Sequence, residues 1–497
     1  LEEATIGGLQ SALGRGETTV RALVEASLAR IEALDRAGPA IRSIIEANPE
    51  ALALADHLDA ERRAGRLRGP LHGIPVVLKD NINTGDRMLT TAGSLALADR
   101  PVANDAFLVA RLRGAGAVIL AKANLSEWAN FRSNRSTSGW SARGGLTRNP
   151  YVLDRNPCGS SSGSAAAVAA SLAVVAVGTE TDGSIVCPAT ACGIVGVKPT
   201  LGLVSRSGVI PIAHSQDTAG PMARTVRDAA ILLGAIAGPD TRDPATAFAA
   251  RHAEADYTRH LRADGLRGTR IGVARNFFGF HPGVEVVMER ALDAITEAGG
   301  VLVDPAPVPR ADDYGDDELE VLLYEFRADL ETYLAGRASG PRTLADLIAF
   351  NRRESEREMP WFGQELFERA VKKGSLQERH YRDALARCRR FSREEGLDAV
   401  LRRLRLDALV APTGGPAWVT DLVNGDHFSG GCSTPSAVAG YPHVTVPAGF
   451  VGALPVGLSF LGAAWSEPKL LRLAYAFELV TGARQPPRFL PTVSAGN

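Results

Sequence analysis

The sequence predicts an α/β fold because short β-rich runs alternate with helical segments. The apolar runs 74–78 and 118–121 are separated by a helical stretch over 107–112, which ends at Gly114-Ala-Gly116. A strand, a helix and a second strand in that order are typical of α/β architecture. We therefore predict one large domain over residues 1–497, in which a central mixed β-sheet is flanked by helices and carries a helical insertion.

Two helices are predicted ahead of the first strand. Apolar residues recur at helical spacing between positions 19 and 36, and a second helix is predicted over 49–64. The apolar positions of the first helix are Val20, Leu23, Val24, Leu28, Ile31 and Leu34. Later strands are predicted over 270–274, 301–303, 408–411, 443–446 and 456–460.

The segment 316–404 is charged and strongly helical. One apolar face runs along its first helix, formed by Leu319, Val321, Leu322, Leu323, Phe326, Leu330 and Leu334. No Pro/Gly/Ser-rich linker separates this segment cleanly from the rest of the chain. We predict a helical insertion or cap that packs against the α/β core within the same domain.

Composition excludes several classes of function. The 497 residues include 55 basic and 56 acidic residues, for a formal net charge of −1, so the basic surface of a nucleic-acid-binding protein is not expected. No Cys/His grouping has zinc-ligand spacing, and we predict neither a metal nor a cofactor. We expect no membrane association, and an oligomeric state of monomer or weak oligomer.

The five cysteines are scattered and contain no CxxC pair. Cys187 and Cys192 lie in a run of small residues close to Ser184, where close packing is favoured over a disulfide. The chain begins at Leu1 instead of methionine, which predicts a trimmed N-terminus. A cytoplasmic location and export after removal of a signal both stay open.

Two stretches of small residues carry the functional prediction. The first is Cys158-Gly-Ser-Ser-Ser-Gly-Ser164, and the second is Gly178-Thr-Glu-Thr-Asp-Gly-Ser-Ile185. Far upstream, the apolar run 74–78 ends in Lys79, followed by Asp80-Asn81. A lysine and two hydroxyls are sufficient for acyl transfer through a serine without histidine. The combination therefore predicts a serine-based acyl-transfer enzyme.

The first serine stretch is predicted to be held in place, although Gly/Ser-rich stretches are often flexible loops. The 13-residue run 165–177 that follows is too apolar for a linker and shorter than the roughly 18 residues needed to span a bilayer. We predict a buried, alanine-rich helix there. A loop at its N-terminus would present N–H groups and hydroxyls to developing negative charge.

The base is predicted to be Lys79, because no histidine lies near either serine stretch and His72 and His214 are interpreted as structural. A lysine acts as a base only when neutral, and burial at the end of an apolar strand lowers its pKa. A carboxylate such as Asp80 or Asp182 would oppose this shift if it approached the ammonium.

The second serine stretch supplies a candidate oxyanion hole. Gly183, directly before Ser184, permits a tight backbone turn. The consecutive N–H groups of Thr181, Asp182, Gly183 and Ser184 are then predicted to converge on a carbonyl oxygen. Preorganised donors of this kind stabilise the tetrahedral intermediate of acyl transfer.

These motifs resemble those of the amidase signature family, whose members share a Gly/Ser-rich stretch, a downstream Gly-Thr-[Asp/Glu]-x-x-Gly-Ser and an upstream Lys-Asp-Asn. The agreement covers essentially the whole chain and includes Gly196-Val-Lys-Pro-Thr200, Ser215-Gln-Asp-Thr-Ala-Gly-Pro-Met222, and Gly440-Tyr-Pro442 with Val444-Thr-Val-Pro447. The resemblance implies the family fold and an amide hydrolase without metal or cofactor.

The resemblance also implies a role for each catalytic candidate. Ser184 is the acyl-forming nucleophile, Ser160 is the bridging serine after a cis peptide bond, and Lys79 is the ultimate base. One departure is Cys158, where family members commonly have glycine. The departure leaves the three catalytic positions unchanged.

Within the family the chain is most similar to bacterial peptide amidases, which release ammonia from C-terminally amidated peptides. The similar stretches are Asn124-Leu-Ser-Glu-Trp-Ala-Asn-Phe131, Ser138-Gly-Trp-Ser-Ala-Arg-Gly-Gly145, Leu347-Ile-Ala-Phe-Asn351, Phe362-Gly-Gln-Glu-Leu366 and Ala464-Trp-Ser-Glu-Pro468. Several lie in the helical insertion, where substrate choice is expected. Asn134 lies where family members line the acyl pocket, although a turn asparagine explains it equally well.

The sequence also leaves alternative functions open. The serine motifs also fit the amidase subunit of a tRNA-dependent amidotransferase and a broad-specificity aliphatic or aryl amidase. A catalytically silent binding protein on the same scaffold is a further alternative. The expected partner in every enzymatic case is a small peptide or amide substrate, with no nucleic acid bound by the chain itself.

Overall fold

A mixed sheet of eleven strands forms the centre of the computed structural model, which describes residues 1–494. The strands of that part are β1 (Ile44–Ala47), β2 (Pro75–Lys79), β3 (Val118–Ala123), β4 (Trp140–Ser141), β5 (Gly145–Leu146), β6 (Val175–Glu180), β7 (Val195–Lys198), β8 (Thr218–Ala223), β9 (Arg270–Val273), β10 (Val301–Val303), β11 (Ala408–Pro412), β12 (His443–Val451) and β13 (Leu454–Leu461). Their order in the sheet is β1-β3-β2-β6-β8-β7-β12-β13-β11-β9-β10, and β4 pairs with β5 separately.

The sheet combines parallel and antiparallel pairs. Strand β2 runs parallel to both β3 and β6, and β9 runs parallel to β10 and β11. The other neighbouring pairs are antiparallel. Every residue of β2, β3 and β6 is buried, as expected for strands covered by helices on both faces. The predicted mixed sheet flanked by helices is confirmed.

Helices cover the sheet and form a second layer at one end of the molecule. Their bounds are α1 (Ile6–Gly14), α2 (Val20–Arg30), α3 (Ala51–Arg63), α4 (Phe107–Gly114), α5 (Ser162–Ala169), α6 (Val186–Ala191), α7 (Val226–Ile236), α8 (Ala249–His252), α9 (Pro282–Glu297), α10 (Gly315–Ala335), α11 (Leu344–Arg353), α12 (Ser355–Glu358), α13 (Glu365–Ala370), α14 (Arg379–Arg389), α15 (Asp398–Leu404), α16 (Thr434–Ala439) and α17 (Glu467–Thr481). Among the residues described, none of these helices is long and apolar enough to cross a bilayer.

Most predicted elements occur where the hydrophobic spacing indicated them. The helix predicted over 19–36 is α2, continued by a π-helical turn at Ile31–Arg36, and the helix over 49–64 is α3. Thr19 begins α2 because its hydroxyl oxygen accepts a hydrogen bond from the Ala22 N–H at 3.1 Å. All strands predicted after residue 269 are present as β9 to β13.

The single helix predicted over 165–177 is wrong. The helix α5 starts earlier and ends at Ala169, and the chain then turns through Ser171, whose φ is 55°. The remaining residues enter β6, where β-branched Val175 and Val177 pair with β8. Apolar character alone does not distinguish a buried helix from a buried strand, so the prediction merged two elements.

Strands β7 and β8 have no counterpart in the prediction. The β8 sequence is Thr-Ala-Gly-Pro-Met-Ala, whose glycine and proline are unfavourable in strands. Pairing with β6 and β7 stabilises the strand in this protein. Tertiary context therefore decides the conformation of this segment.

The segment 316–404 folds as the series of helices α10 to α15. Apolar residues of α10, including Leu323, Phe326 and Leu330, pack into a cluster with Trp128 and Phe131 of the core. The rings of Phe131 and Phe326 are 5.0 Å apart between centroids. We propose that this segment is an insertion within one domain over 1–497, of which 495–497 lie outside the described residues.

Arg132 connects the helical segment to the core through buried polar contacts. Its guanidinium is fully buried, contacts the Glu127 carboxylate and donates to the backbone oxygen of Glu358 at the end of α12. It also lies 3.7 Å from the Glu358 carboxylate and 4.3 Å from the Phe362 ring centroid. One cation therefore compensates two buried carboxylates from different parts of the chain.

We expect Arg132→Ala to lower the free energy of unfolding by about 3–5 kcal/mol, because it leaves Glu127 and Glu358 buried without a cation. Chemical denaturation monitored by tryptophan fluorescence measures the change. Arg352→Ala is the matched control, since Arg352 pairs with Glu368 at 2.8 Å on the surface. Equal changes in the free energy of unfolding for the two substitutions would contradict a stabilising role of the buried Arg132 contacts.

Candidate active site

Lys79 is the last residue of β2 and lies at the end of the sheet where the serine stretches meet. Because β2 and β6 are parallel and Leu78 pairs with Val177, both strands reach the same edge with their carboxyl ends. The Lys79 side chain is fully buried. Its Nζ is 2.7 Å from Ser160 Oγ, 2.8 Å from Thr179 Oγ1 and 3.2 Å from the Thr179 carbonyl oxygen.

Burial lowers the pKa of Lys79 to about 7, although Asp217 and Glu180 oppose the shift. The sequence instead indicates Asp80 and Asp182 as the opposing carboxylates. In the structure Asp80 turns to Arg143, at 3.4 Å, and accepts the hydroxyl of Thr91. A substantial neutral fraction of Lys79 at neutral pH follows from this environment.

Two further lysines are fully buried, and both have ordinary structural partners. Lys122 Nζ donates to the Ile82 carbonyl and Thr90 Oγ1, at 2.6 and 2.7 Å. Lys198 Nζ donates to the Tyr441 carbonyl at 2.7 Å. Burial lowers the pKa of each to about 8. Within the described residues, Lys79 alone of the three contacts a serine hydroxyl.

Ser160 lies in a tightly held loop at the start of α5. The Gly159–Ser160 peptide bond is cis, Ser160 is fully buried, and its carbonyl oxygen accepts the Ser126 N–H at 3.1 Å. The neighbouring serines bond to backbone carbonyls, with Ser161 donating to Thr179 and Ser162 to Cys158. The other serine side chains of this loop therefore hold its shape.

Ser184 follows a turn at the end of β6 and is 8% exposed, whereas Lys79 and Ser160 are each 0% exposed. The Glu180 carboxylate fixes the turn, because it accepts the N–H groups of Ile185 and Val186 at 2.7 and 3.1 Å. The Ser161 N–H donates to the Ser184 carbonyl at 3.2 Å and joins the two serine loops. In the described residues the hydroxyls of Ser160 and Ser184 form no hydrogen bond with each other.

The predicted oxyanion donors lie on this same turn. Gly183 has a φ of +75°, a conformation that favours glycine. Within the described part of the chain, the N–H groups of Thr181, Asp182, Gly183 and Ser184 donate to no loop or side-chain acceptor. The Thr181 hydroxyl donates to Asp217 at 2.6 Å and anchors the start of the turn.

A disulfide joins the first serine stretch to α6, which directly follows the second stretch, and corrects the sequence interpretation of the cysteines. Cys158 is bonded to Cys187, across a sequence separation of 29 residues. Cys187 is thus not a simple packing residue, whereas Cys192 is a free, buried thiol. Cys158 also adopts a φ of 58°, the left-handed region in which glycine is favoured. Residues 158 and 187 are distant in sequence, so spacing alone did not indicate this pair.

Asn134 lies in an exposed turn, and within the described residues no hydrogen bond joins it to Lys79, Ser160 or Ser184. Its backbone N–H donates to the Glu365 carboxylate of α13 at 2.8 Å, and the Ser133 hydroxyl donates to the same oxygen at 2.7 Å. The turn therefore contacts the helical segment. A role for Asn134 in the acyl pocket stays a prediction.

Three residues around the site were not singled out from the sequence. Thr179 orients Lys79, and Asn81 donates to the same Thr179 hydroxyl at 3.0 Å. Asp217 accepts the Thr181 hydroxyl together with the N–H groups of Ile212 and Ala213, at 2.8 and 2.9 Å. The parallel pairing of β2 with β6 is the signal that places Thr179 beside Lys79, and it requires knowledge of the sheet order.

The two histidines interpreted as structural have protein partners. Buried His72 contacts the Leu58 carbonyl oxygen through Nε2 at 3.0 Å. His214 contacts Asp329 and Glu325 of α10, at 2.9 and 3.5 Å. These three side chains are the one group in the described residues with the spacing of metal ligands. Their mutual contacts already account for the arrangement.

A cavity of about 520 Å³ lies next to the turn 181–184, to which its lining residue Thr434 is hydrogen-bonded. Its lining combines three phenylalanines with two carboxylates and Thr434: Phe277, Phe278, Phe280, Asp312 and Glu318. Thr434 donates to Asp182 at 2.7 Å, and Gln216 donates both to Glu318 at 2.9 Å and to the Thr181 carbonyl at 3.3 Å. The cavity is thus connected directly to the turn that carries Ser184.

Comparison with known proteins identifies the family. The amidase family model matches residues 22–471. The crystal structure of native peptide amidase from Stenotrophomonas maltophilia is 54% identical, with a TM-score of 0.94, over 98% of this chain and 99% of that one. A probable amidase of Arabidopsis thaliana is 41% identical over 99% of this chain and 92% of its own length. A glutamyl-tRNA(Gln) amidotransferase subunit from Chloroflexus aurantiacus is 37% identical over 97% of both. The chain belongs to the amidase family and is an amide-hydrolysing enzyme.

Proposed function

We propose that the enzyme hydrolyses amides through a Ser184–Ser160–Lys79 relay and that its substrates are C-terminal peptide amides. The Ser184 oxygen attacks the terminal carboxamide carbon while its proton passes to Ser160, whose own proton passes to neutral Lys79. Collapse of the tetrahedral intermediate breaks the C–N bond, and the returned proton leaves with ammonia. Water then hydrolyses the acyl-enzyme by the same proton path, yielding the peptide acid.

The observation that carries this proposal is the contact between Lys79 Nζ and Ser160 Oγ at 2.7 Å in a fully buried setting. The lowered pKa of Lys79, about 7, makes proton transfer in both directions accessible near neutral pH. Ser184 is 8% exposed, whereas Ser160 is fully enclosed. These differences support separate roles for the two serines.

The turn 181–184 is proposed as the oxyanion hole. Its consecutive N–H groups leave donors free beside the nucleophile, and Glu180 and Asp217 hold its two ends. Such a preorganised set needs no rearrangement when negative charge develops on the carbonyl oxygen. Each donor of this kind typically contributes about 3–4 kcal/mol to transition-state stabilisation.

The peptide-amide substrate is supported by similarity across the full length, including the helical segment 316–404. The identity of 54% to the Stenotrophomonas peptide amidase exceeds the 37% to the amidotransferase subunit. An amidotransferase subunit would act on glutamine with partner subunits, and a broad-specificity amidase would act equally on short aliphatic or aryl amides. Substrate preference of the isolated chain separates these three functions.

The disulfide bears on the compartment of the enzyme. Bonds of this kind form and persist in oxidising compartments and are rare in the cytosol. The Cys158–Cys187 disulfide therefore supports the exported alternative for this chain.

Ser184→Ala should lower the release of ammonia from a peptide amide by about 10⁴-fold or more, because the acyl-enzyme cannot form. Ser164→Ala is the matched control, since Ser164 is a buried serine in the first turn of α5 with one long contact, 3.4 Å, to the Val177 carbonyl. An ammonia assay on both purified variants measures the difference. Undiminished turnover by Ser184→Ala would exclude Ser184 as the nucleophile.

The rate constant kcat/KM for a neutral peptide amide should rise with pH through a pKa near 7 and then reach a plateau. The pKa of Lys79 is lowered to about 7, and only neutral Lys79 accepts the proton. Below this pKa the rate should fall about tenfold per pH unit. A profile that is flat or falls between about pH 5.5 and 8, with the fold intact by circular dichroism, would contradict Lys79 as the base.

Among a panel of amide substrates, peptide amides should have the highest kcat/KM for ammonia release. We expect ammonia release from amidated peptides to exceed that from acetamide, benzamide and free glutamine by at least about tenfold in kcat/KM, since remote contacts of a longer substrate contribute binding energy in the transition state. Highest activity with glutamine would favour the amidotransferase function. Equal activity across the panel would favour a broad-specificity amidase.

A further inference from the structure

We infer that the cavity beside the nucleophile turn binds a cationic group carried by the acyl part of the substrate, with the Glu318 carboxylate as its counter-ion. The inference rests on the proposed function, because the position of the cationic group is given relative to Ser184 as the nucleophile. The preference for a positive charge, in contrast, depends on the residues of the cavity and not on the proton transfers between Ser184, Ser160 and Lys79.

Glu318 is a buried carboxylate with an unused hydrogen-bonding oxygen. It is 8% exposed, and it lines the cavity from the first turn of α10. Its Oε1 accepts the Gln216 side-chain N–H at 2.9 Å, whereas its Oε2 has no hydrogen-bond partner in the described residues. Oε2 is therefore the Glu318 oxygen that is available to a ligand in the cavity.

The rest of the lining also favours a cation. Asp312 is a second carboxylate of the cavity wall, and the described lining contains no lysine, arginine or histidine. The nearby Arg275 is paired with Asp304 and Glu289, both at 2.6 Å. The Arg275 guanidinium already lies 4.7 Å from the Phe278 ring centroid, so Phe277 and Phe280 are the lining rings that suit a substrate guanidinium or ammonium through cation–π contact.

The cavity is close enough to Ser184 to receive part of the bound substrate. Gln216 bonds to Glu318 and to the Thr181 carbonyl, and Thr181 precedes Ser184 by three residues. Gln216 Nε2 lies 2.9 Å from Glu318 Oε1 and 3.3 Å from the Thr181 carbonyl oxygen, and the three residues from Thr181 to Ser184 span at most about 11 Å. The cation is therefore expected within about five extended residues of the scissile amide. Both the α-ammonium of a short peptide amide and a basic side chain fit that distance.

The protonation state of Glu318 connects cation binding to pH. Burial and the charge of Asp182 raise the pKa of Glu318 above its ordinary value, while the Gln216 amide opposes the shift. The other titratable groups near Glu318 are Asp312 on the cavity wall, the Tyr314 hydroxyl, the Cys388 thiol, and Asp317, which is paired with Arg387. Because the proton and the cation compete for the carboxylate, preference for a cationic substrate should increase as the pH rises through the pKa of Glu318.

The test compares matched substrates in the wild type and in Glu318→Gln. Arginine is compared with neutral citrulline at the residue before the amidated one, and a free α-amine is compared with its N-acetyl form. We expect the wild type to prefer the cationic member of at least one pair, and Glu318→Gln to reduce that preference by about tenfold or more. The loss should appear in the ratio of the KM values of the paired substrates. A reduced preference in the arginine–citrulline pair would identify the side chain as the bound cation, and a reduced preference in the amine pair would identify the α-ammonium.

Asp316→Asn is the matched control, because Asp316 lies in the same first helical turn and is exposed outside the cavity. If Glu318→Gln does not fold, Asp312→Asn provides the same comparison from the cavity wall. A wild type without cation preference, or a preference that survives the substitution, would overturn the inference. The protonation state of Lys79 affects both substrates of a pair equally, so it does not change the ratio of their rates. If the cation preference is absent but ammonia release still depends on Ser184, the proposed relay is unaffected.

Discussion

The burial of Lys79 at the end of β2 is the constraint on which the rest of the structure depends. A lysine in this position needs polar partners, and Ser160 Oγ and Thr179 supply them at 2.7–3.2 Å. Thr179 is available because β2 and β6 run parallel and end at the same edge of the sheet. The same burial lowers the pKa of Lys79 to about 7, so the feature that positions the lysine also supports its proposed chemistry.

The two serine loops are held by separate sets of contacts. The Cys158–Cys187 disulfide and the Ser161 N–H to Ser184 carbonyl bond join them to each other. Glu180 and Asp217 hold the nucleophile turn, and Gln216 connects that turn to α10 of the helical segment. The helical segment is thereby connected to the turn 181–184 through the side chains of Glu318 and Gln216.

Periodicity predicted the long amphipathic helices and the apolar strands, since α2, α3 and β9 to β13 occur where the sequence indicated. It failed for the segment 165–177, because an apolar run without polar spacing fits both a helix and a strand. The motif residues Lys79, Ser160 and Ser184 were identified from the sequence, and the structure brings them to one end of the sheet. Local sequence does not specify strand order or loop packing. These determine the position of Thr179, the pairing of Cys158 with Cys187 and the proposed role of Glu318.

The most direct test of the relay is trapping with a serine-directed phosphonate, followed by peptide mapping of the adduct by mass spectrometry. The account predicts a single adduct on Ser184 in the native enzyme. It also predicts a rate of adduct formation at least about 10²-fold lower in Lys79→Met, since the proton acceptor is lost. An adduct on Ser160, or an unchanged rate without the lysine, would contradict the assignment of nucleophile and base.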